Sequence, residues 1–391
     1  MHPDQLAKDA PGRLAQVGTG AEAFWHFVPD PLPPRLAYDL PFARELAAAE
    51  RAVGRLAGLG QTLENPQLFV RPFIRQEAVA SSRIEGTESD LRDLLIYEAS
   101  GRPRPGGAPE PDVREVLNYV HALEYGLGRL ESLPVCLRLI REVHERLMAG
   151  VRGRQREPGE FRRVQNWTGP PGSSLREATY VPPAPPEMGE CLHAFERYLH
   201  ADAAEPQLLR LALIHYQFEA IHPFLDGNGR VGRLLIALLL VHWGVLPHPL
   251  LYISRFFERH RSDYYERLLR VTTHGEWAEW VRFFLAGVRT QADEGTRRAT
   301  ELQELRAQWQ DQVSRTRAPA AVLAVVGLLF RSPTVTIPDV ARALGMTFHR
   351  ARRCVEKLVD AGILSPLFDT SNPVLYQAEG IVDVVDVDGE T

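Results

Sequence analysis

The chain has 391 residues, of which 45% are hydrophobic and 24% are charged, and its net charge is -5. A chain of this length is expected to divide into two or three domains, and its composition is that of a globular protein rather than a collagen-like or disordered one. The negative balance excludes a global basic field, so binding to nucleic acid would need a local basic patch.

The cysteines and the apolar runs bear on the compartment. Cys136, Cys191 and Cys354 are far apart and lack the spacing of metal ligands, which argues against a disulfide framework or a zinc site and favours a reducing cytoplasm. The first residues have no apolar core behind a basic start, so no signal peptide is expected. The longest apolar run, 234–241, is far shorter than the roughly 20 residues that a membrane-spanning helix needs.

The spacing of apolar residues predicts a mainly helical chain. Helices are predicted at 41–60 and over much of 72–99, before a cluster of glycine and proline at 101–111 that breaks the pattern. Residues 152–186 are the least helical part, and 178–181 is predicted to be one arm of an exposed hairpin. Further helices are predicted at 112–130, 135–149, 187–199, 207–221, 228–241, 261–271 and 276–289, with a long polar connector helix at 291–314.

The pattern changes after residue 317 to three helices and two short strands, with Gly345 in a tight turn. This is the element order of a winged helix-turn-helix domain. Arg350, Arg353 and Lys357 recur at helical spacing on the third helix, with His349 beside them, as expected of a DNA-reading helix. Residues 317–391 nevertheless hold seven basic and nine acidic residues, so protein contact or assembly of a homodimer is an equal alternative use of this domain.

The most informative segment is HPFLDGNGRVGR, which begins at His222. Gly227 and Gly229 lie where a strongly apolar helix begins, so their backbone N–H groups are open to phosphate oxygens. Arg230 and Arg233 are three residues apart on the first turn of that helix and can reach the same polyphosphate. The segment therefore predicts a site for a polyphosphate.

Two further side chains of this segment suggest chemistry. Asp226 offers a hard oxygen ligand for Mg²⁺, which would bridge phosphates. His222 lies at the rim, where a neutral imidazole could accept a proton from an incoming hydroxyl. The glycines at 227, 229 and 232 also fit the dinucleotide fingerprint, but that motif must follow a strand and here a helix precedes it, so we reject this interpretation.

The segment resembles the signature HPFx(D/E)GNGRxxR of the Fic (Fido) family, which it matches at every fixed position. Residues 41–99 are similar to the Fic-associated N-terminal domain, and 159–169 and 178–183 are similar to the segments that lead into the family's β-hairpin flap. The resemblance implies a mainly α fold, with a Fic-type helical core, a small β-hairpin flap and a C-terminal winged helix-turn-helix domain. The expected domains are an N-terminal helical domain at 1–110, a catalytic core at 111–290, a connector helix at 291–316 and the winged helix domain at 317–391.

The resemblance also implies an activity, protein adenylylation, in which AMP passes from ATP to a Ser, Thr or Tyr hydroxyl of a target protein and pyrophosphate leaves. It implies that His222 is the general base and that Phe224 anchors the loop. The implied nucleotide ligands are Asp226 through Mg²⁺, the anion hole of Gly227, Asn228 and Gly229, and Arg230 and Arg233 at the β- and γ-phosphates. The intact GNGR arrangement favours transfer of AMP over transfer of phosphate.

An inhibitory motif is also implied. Ser81 and Glu85, within SSRIEG, resemble the family pattern (S/T)xxxE(G/N). The resemblance implies that Glu85 pairs with Arg233 and so occupies the cation that the γ-phosphate needs. Because the same glutamate positions a water molecule for AMP removal in some relatives, a de-AMPylase activity stays open.

Peripheral assignments complete the sequence-based picture. Relatives place a tyrosine against the adenine; Tyr264 and Tyr265 both fit this role, and Tyr265 is preferred. Thr179, Tyr180 and Val181 are expected to dock the target peptide by strand addition. The histidines at 215 and 242 lie in apolar helical stretches and are predicted to be structural.

A second class of function stays open, a nucleotide-sensing, DNA-binding regulator with little transfer activity. The target protein is not identified by the sequence, and self-modification is one option.

Overall fold

The computed structural model describes residues 2–20, 23–62, 66–150, 157–170, 172–202, 204–315, 319–367 and 373–386. Helices dominate these residues, as the sequence predicts. The helices are α1 (Leu40–Thr62), α2 (Gln67–Ile84), α3 (Leu91–Ser100), α4 (Glu110–Arg129), α5 (Leu137–Leu147), α6 (Pro185–His200), α7 (Gln207–Ile221), α8 (Asn228–His242), α9 (Ser254–Arg259), α10 (Arg261–His274), α11 (Trp277–Arg315), α12 (Ala320–Leu329), α13 (Ile337–Ala343), α14 (Phe348–Asp360) and α15 (Glu379–Val385). The strands are β1 (Gly12–Val17), β2 (Phe24–Pro29), β3 (Thr334–Thr336), β4 (Ser365–Pro366) and β5 (Leu375–Gln377).

The chain packs into two compact units. The first takes in the chain up to Gly54 with residues 121–246 and 253–291; the second takes in 55–120, 247–252 and the chain from 292 onward. Helices α1, α4 and α11 each contribute to both units. Among the described residues, no helix combines the length and the apolar character that crossing a bilayer demands.

The centre of the first unit is the pair α7 and α8. Apolar residues of both helices are buried around nearly the whole circumference, which is why the sequence of this region reads as a continuous apolar run. Trp280 of α11 is fully buried beside α7, and its indole N–H donates to the Ala212 carbonyl at 3.0 Å. Strands β1 and β2 form an antiparallel pair, with Gly12 opposite Pro29, and β2 packs against α6 and α7. These strands were not predicted.

The second unit contains α2 and α3, which were predicted as parts of one apolar stretch. The helix breaks at 85–90, where Gly86 adopts a φ of 98° and Asp90 caps α3 in a reciprocal capping box with Asp93. Arg104 bonds both carboxylates, at 2.8 and 2.7 Å, and so fixes the start of α3.

The C-terminal part of the second unit contains α12, α13 and α14 and a three-stranded antiparallel sheet in the order β3-β5-β4. The three helices and the pair β4 and β5 were predicted, whereas β3 and α15 were not. The segment packs against the N-terminal elements of the unit: Arg92 of α3 reaches Glu379 at 2.9 Å and donates to the Gln377 side chain at 3.1 Å. Residues 368–372, which hold most of the predicted turn between the two strands, lie outside the described residues.

One predicted boundary is wrong. Helices 276–289 and 291–314 were predicted as separate elements, but α11 runs unbroken from Trp277 to Arg315. The intervening residues Arg289, Thr290 and Gln291 include neither glycine nor proline, so nothing in the backbone ends the helix there.

Candidate active site

The predicted polyphosphate loop connects α7 to α8. His222 caps the end of α7 in the left-handed conformation, with φ 50° and ψ 58°. Pro223 follows and cannot supply an N–H to continue the helix. A side chain other than glycine in this region costs about 1–3 kcal/mol, and such strain persists only where surrounding contacts impose it. The half-buried His222 is therefore held in place by its neighbours.

The tautomer of His222 follows from its hydrogen bond. Nδ1 lies 3.4 Å from the Glu219 carbonyl oxygen, which can only accept. The proton of a neutral ring is therefore on Nδ1, and the lone pair is on Nε2. A ring in this state can act as a general base through Nε2.

The loop is fastened by Asn228 and Phe224. The Phe224 side chain is fully buried. Its N–H donates to Asn228 Oδ1, and Asn228 Nδ2 donates back to the Phe224 carbonyl, both at 2.8 Å. The Asn228 amide group is thus committed to closing the loop, and what this residue can offer a phosphate is its backbone at the start of α8.

The start of α8 is small and electropositive. Gly227 precedes the helix with a φ of 78°, and a Cβ there would lie 3.0 Å from Met148 Sδ, so a side chain would be both strained and crowded. Arg230 and Arg233 follow on the first turns and are almost completely buried. The helix dipole adds to their positive charge, which suits an anion.

Asp226 is the one predicted metal ligand, and its side chain is 35% exposed. Its Oδ1 accepts the Gly227 N–H at 2.7 Å and lies 3.5 Å from Arg230 Nη2. The described residues contain no cluster of three or more candidate ligands. Mg²⁺ commonly binds through one or two carboxylates together with substrate phosphates, so a single accessible carboxylate beside a phosphate site fits this ion.

The sequence analysis did not single out His144. Its Nδ1 accepts the Gly159 N–H at 2.9 Å, so its Nε2 carries the proton and donates to the Asp226 carbonyl at 3.0 Å. The ring stacks on Phe224, with the centroids 3.7 Å apart. Burial lowers the pKa of His144 to about 4, which keeps it neutral near pH 7. His144 lies 82 residues before Asp226, so no local pattern indicates the contact.

Arg162 and Asn166 were also missed as individual residues. The Arg162 side chain is 2% exposed, and its Nε donates to the His222 carbonyl at 2.9 Å. Asn166 Nδ2 donates to the Phe224 carbonyl at 2.8 Å. Both residues lie in the segment 159–169, which the sequence analysis related to the flap, and that resemblance was the available signal.

The predicted flap is largely built into the fold. Thr168 and Tyr180 form an isolated antiparallel bridge, and the Tyr180 hydroxyl donates to the Ala220 carbonyl. Thr179 is exposed, but Val181 is buried, and its carbonyl accepts the Phe27 N–H of β2 at 2.9 Å. Of the predicted exposed arm, residues 178–181, the side chain most accessible to a partner is that of Thr179.

The two tyrosines differ in burial. Tyr264 is 1% exposed, stacks on Phe257 with centroids 4.4 Å apart, and its hydroxyl lies 2.9 Å from His215 Nε2. Tyr265 is 43% exposed and lies beside Arg261. Tyr265 thus has the more accessible ring, and its role as the adenine-facing residue stays a prediction.

Of the two predicted structural histidines, one is structural. His215 is buried between α7 and α8, and its Nδ1 lies 3.2 Å from the Gly232 carbonyl. His242 is instead exposed, because it is the last residue of α8. The two residues predicted to be inhibitory lie in the second unit: Ser81 is buried near the end of α2, and Glu85 is exposed at its C-cap.

Comparison with known proteins identifies two regions of the chain. Residues 43–128 match the Fic/DOC family N-terminal domain, and residues 134–240 match the Fic/DOC family domain. The protein adenylyltransferase Fic of Drosophila grimshawi is 33% identical over 172 residues, which are 43% of this chain and 32% of that protein. The protein of the same name from Nematostella vectensis is 34% identical over 214 residues, or 53% and 45% of the two chains. The chain thus spans less than half the length of these relatives.

Solved structures show the same fold. A Fic family protein from Desulfovibrio desulfuricans matches with a TM-score of 0.56 at 20% identity, covering 89% of this chain and 98% of that one. Fic-1 from C. elegans, residues 134–508, matches with a TM-score of 0.51 at 20% identity, covering 68% and 73%. The solved structures thus show the fold, and the two matched regions, together with the complete signature on the loop between α7 and α8, identify residues 43–128 and 134–240 as Fic/DOC family domains.

Proposed function

We propose that this chain is a protein adenylyltransferase that transfers AMP from ATP to a Ser, Thr or Tyr hydroxyl of a protein. The observation that carries the proposal is the position of His222, which lies on the loop that leads into the electropositive start of α8 and has its Nδ1 3.4 Å from the Glu219 carbonyl. The similarity to proteins named protein adenylyltransferase Fic supports it.

The reaction needs one proton acceptor and one leaving group. The target hydroxyl oxygen attacks the α-phosphorus of ATP while its proton passes to His222 Nε2. The new oxygen–phosphorus bond forms as the bond from the α-phosphorus to the bridging oxygen breaks, and that oxygen leaves with its electron pair as part of pyrophosphate. Since phosphoryl transfer depends mainly on positioning and charge, the acceleration comes from holding the reactants in line.

The triphosphate is assigned to the start of α8. The backbone N–H groups of Asn228 and Gly229 receive the α-phosphate, since that of Gly227 donates to Asp226 Oδ1, and Arg230 and Arg233 take the outer phosphates. Asp226 would hold Mg²⁺, which when bound neutralises charge on the α- and β-phosphates. Tyr265 provides an exposed ring for the adenine.

The test uses ATP labelled on the α-phosphate beside ATP labelled on the γ-phosphate, with lysate proteins and the chain itself as acceptors. We expect only the α label to reach protein. His222→Ala should reduce the transfer by at least about 100-fold, the lower range for loss of a general base. Labelling from the γ position, or full transfer by the His222→Ala variant, would refute the proposal.

We further propose that Glu85 restrains the activity by pairing with Arg233. Glu85 is an exposed carboxylate at the C-cap of α2, within the segment SSRIEG that resembles the inhibitory motif. Glu85→Gly is expected to raise AMP transfer, whereas Glu88→Gly, which removes a nearby exposed carboxylate outside the motif, should not. Equal rates for Glu85→Gly and the unsubstituted chain, with both folded, would show that the brake is misassigned.

The same variant separates two roles of Glu85. If the carboxylate also positions water for de-AMPylation, the unsubstituted chain should release AMP from a target that Glu85→Gly has labelled, and Glu85→Gly should not.

Docking of the target protein is assigned to the flap, where Thr179 is exposed next to the bridge at Tyr180. Self-modification would appear as label on the chain in the absence of other protein.

One observation favours a second candidate function, a nucleotide-sensing regulator that binds DNA through a C-terminal winged helix domain. Arg350, Arg353 and Lys357 are exposed on α14, and within the described part of the chain no carboxylate pairs with them. DNA binding without transfer of the α label would favour this function, and transfer without DNA binding would leave the C-terminal segment for protein contact or a homodimer.

The cytoplasm stays the proposed compartment, because all three cysteines are free thiols.

A further inference from the structure

The Arg162 guanidinium occupies a buried position enclosed by backbone carbonyls. Nε donates to the His222 carbonyl at 2.9 Å, and Nη1 donates to that of Val164 at 3.3 Å. Nη2 donates to the carbonyl of Pro183 and lies 3.5 Å from that of Ile221. These four carbonyls come from three stretches of chain: the end of α7, the segment of Arg162 itself and the flap segment 178–183.

Burial does not remove the charge. It lowers the pKa of Arg162 to about 10, so the side chain remains a cation at neutral pH. A buried cation is tolerated only when its donors are satisfied, and each of its three nitrogens donates to a carbonyl. These donors therefore face the backbone, unlike those of an arginine that binds nucleotide phosphates.

The contacts of Arg162 coincide with the strained point of the loop. His222 and the preceding Ile221 are the residues at which the chain turns into the left-handed conformation. Charge-assisted hydrogen bonds to their carbonyls stabilise this turn. The backbone N–H of Arg162 also donates to the Pro223 carbonyl at 2.9 Å. The side chain and backbone of Arg162 thus contact the carbonyls of three successive residues, 221–223.

Asn166, four residues after Arg162, contacts the same loop. Its Nδ2 donates to the Phe224 carbonyl at 2.8 Å and lies 3.5 Å from the His222 carbonyl. We refer to the side chains of Arg162 and Asn166 as the loop clamp. Together they hold the carbonyls on both sides of Pro223, which has no N–H of its own with which to fix the turn.

We infer that the loop clamp is a positioning device for the transfer reaction: it fixes the backbone of His222 so that Nε2 points at the acceptor hydroxyl, and through Pro183 it ties that backbone to the flap. This inference rests on the proposed function. A general base displaced by about 1 Å can lose about 100-fold in rate, and the clamp prevents such a displacement. Neither residue touches ATP in this role.

The test measures turnover and nucleotide binding separately, in the unsubstituted and Glu85→Gly chains. Arg162→Met removes the donors and keeps the length of the side chain, Arg162→Lys keeps the charge without the planar fork, and Asn166→Ala removes the second, half-buried part of the clamp. Arg163→Met is the matched control, because the neighbouring Arg163 is exposed. Transfer of the α label gives kcat, and equilibrium binding gives the Kd of ATP.

We expect Arg162→Met to lower kcat by about 100-fold and to leave the ATP Kd within about threefold, with Arg162→Lys and Asn166→Ala intermediate and Arg163→Met unchanged. Hydrogen exchange should accelerate in the loop 222–227 and not in α8. In a His222→Ala background the clamp substitutions should cost nothing further, since they act through His222.

Three outcomes would overturn the inference: full kcat in Arg162→Lys and Asn166→Ala, a parallel loss of ATP affinity and rate, or additive losses in the His222→Ala background. If Arg162→Met does not fold, Asn166→Ala decides the question, because it leaves the buried cation in place. Failure of the proposed function is distinct from these outcomes, because it would appear as labelling from the γ position or as full transfer by the single variant His222→Ala.

Discussion

His215, His144 and His222 differ in how deeply their rings are buried, and that difference separates structure from chemistry. Both ring nitrogens of His215 and of His144 are hydrogen-bonded, and both rings are buried. Burial lowers the pKa of each, so neither is charged near neutral pH. His222 is half-buried with its lone pair on Nε2, and this combination suits acid–base chemistry.

The neutral state of His215 predicts an acid-sensitive stability. Burial lowers its pKa from 6.5 to about 3. As the pH falls below 6.5, the unfolded chain binds a proton that the folded chain refuses, so the free energy of unfolding falls until the pH reaches the folded pKa. Between pH 6 and pH 5 this single group should cost about 1 kcal/mol.

The measurement is urea unfolding at pH 7, 6 and 5, followed by tryptophan fluorescence, for the unsubstituted chain and for His215→Gln. His215→Gln is expected to be less stable at pH 7, because a well-packed ring is lost. Between pH 6 and pH 5 its free energy of unfolding should fall by about 1 kcal/mol less than that of the unsubstituted chain. Parallel pH profiles for the two chains would show that His215 titrates normally.

At the scale of elements, helix ends are fixed by glycines in the left-handed conformation, and their surroundings decide the cost of a substitution. Gly275 ends α10 with a φ of 70°, and a Cβ there would lie 2.1 Å from the Asp9 carbonyl oxygen. Gly244 follows α8 with a φ of 68°, and a Cβ there would meet nothing within 4 Å. The two positions share the backbone strain and differ in the contact.

Gly275→Ala is therefore expected to destabilise the chain more than Gly244→Ala. Gly244→Ala should cost about 1 kcal/mol through the left-handed conformation alone. Gly275→Ala adds a collision with backbone, which cannot rotate away as a side chain can, and should cost about 1–3 kcal/mol more. Thermal unfolding of both variants checks this order, and equal shifts in Tm would mean that the N-terminal segment moves aside freely.

Elements were predictable from sequence where a residue type dictates the backbone. The end of α7 at Ile221 and the start of α8 at Asn228 were predicted correctly, because Pro223 and Gly227 leave few alternatives. β1 and β2 were missed, since their alternation is weak and the stability of the pair comes from the packing of β2 on α6 and α7. His144 and Arg162 were missed because their contacts join residues 82 and 60 positions apart, which a single sequence does not display.

At the scale of the whole molecule, charge is distributed unevenly. The net charge of the whole chain is -5, yet α14 presents exposed basic residues at 350, 353 and 357. Among the described residues, no carboxylate is paired with these three. Arg352 on the same helix is paired with Glu356 at 2.8 Å, so its charge is largely balanced. Any affinity for DNA would therefore come from a small local patch acting against a repulsive net charge.

This distribution predicts a shallow salt dependence for any DNA binding. Three phosphates neutralised by the patch give a slope of log K against log salt of about -3, and Arg353→Gln should reduce the magnitude of that slope by about 1. Fluorescence anisotropy of a labelled duplex between about 50 and 200 mM salt measures both values. Arg331→Gln, which removes an exposed charge outside α14, should leave the slope unchanged. Equal slopes for Arg353→Gln and the unsubstituted chain would exclude α14 as the DNA contact, and absence of binding at the lowest salt would refute the DNA-binding function.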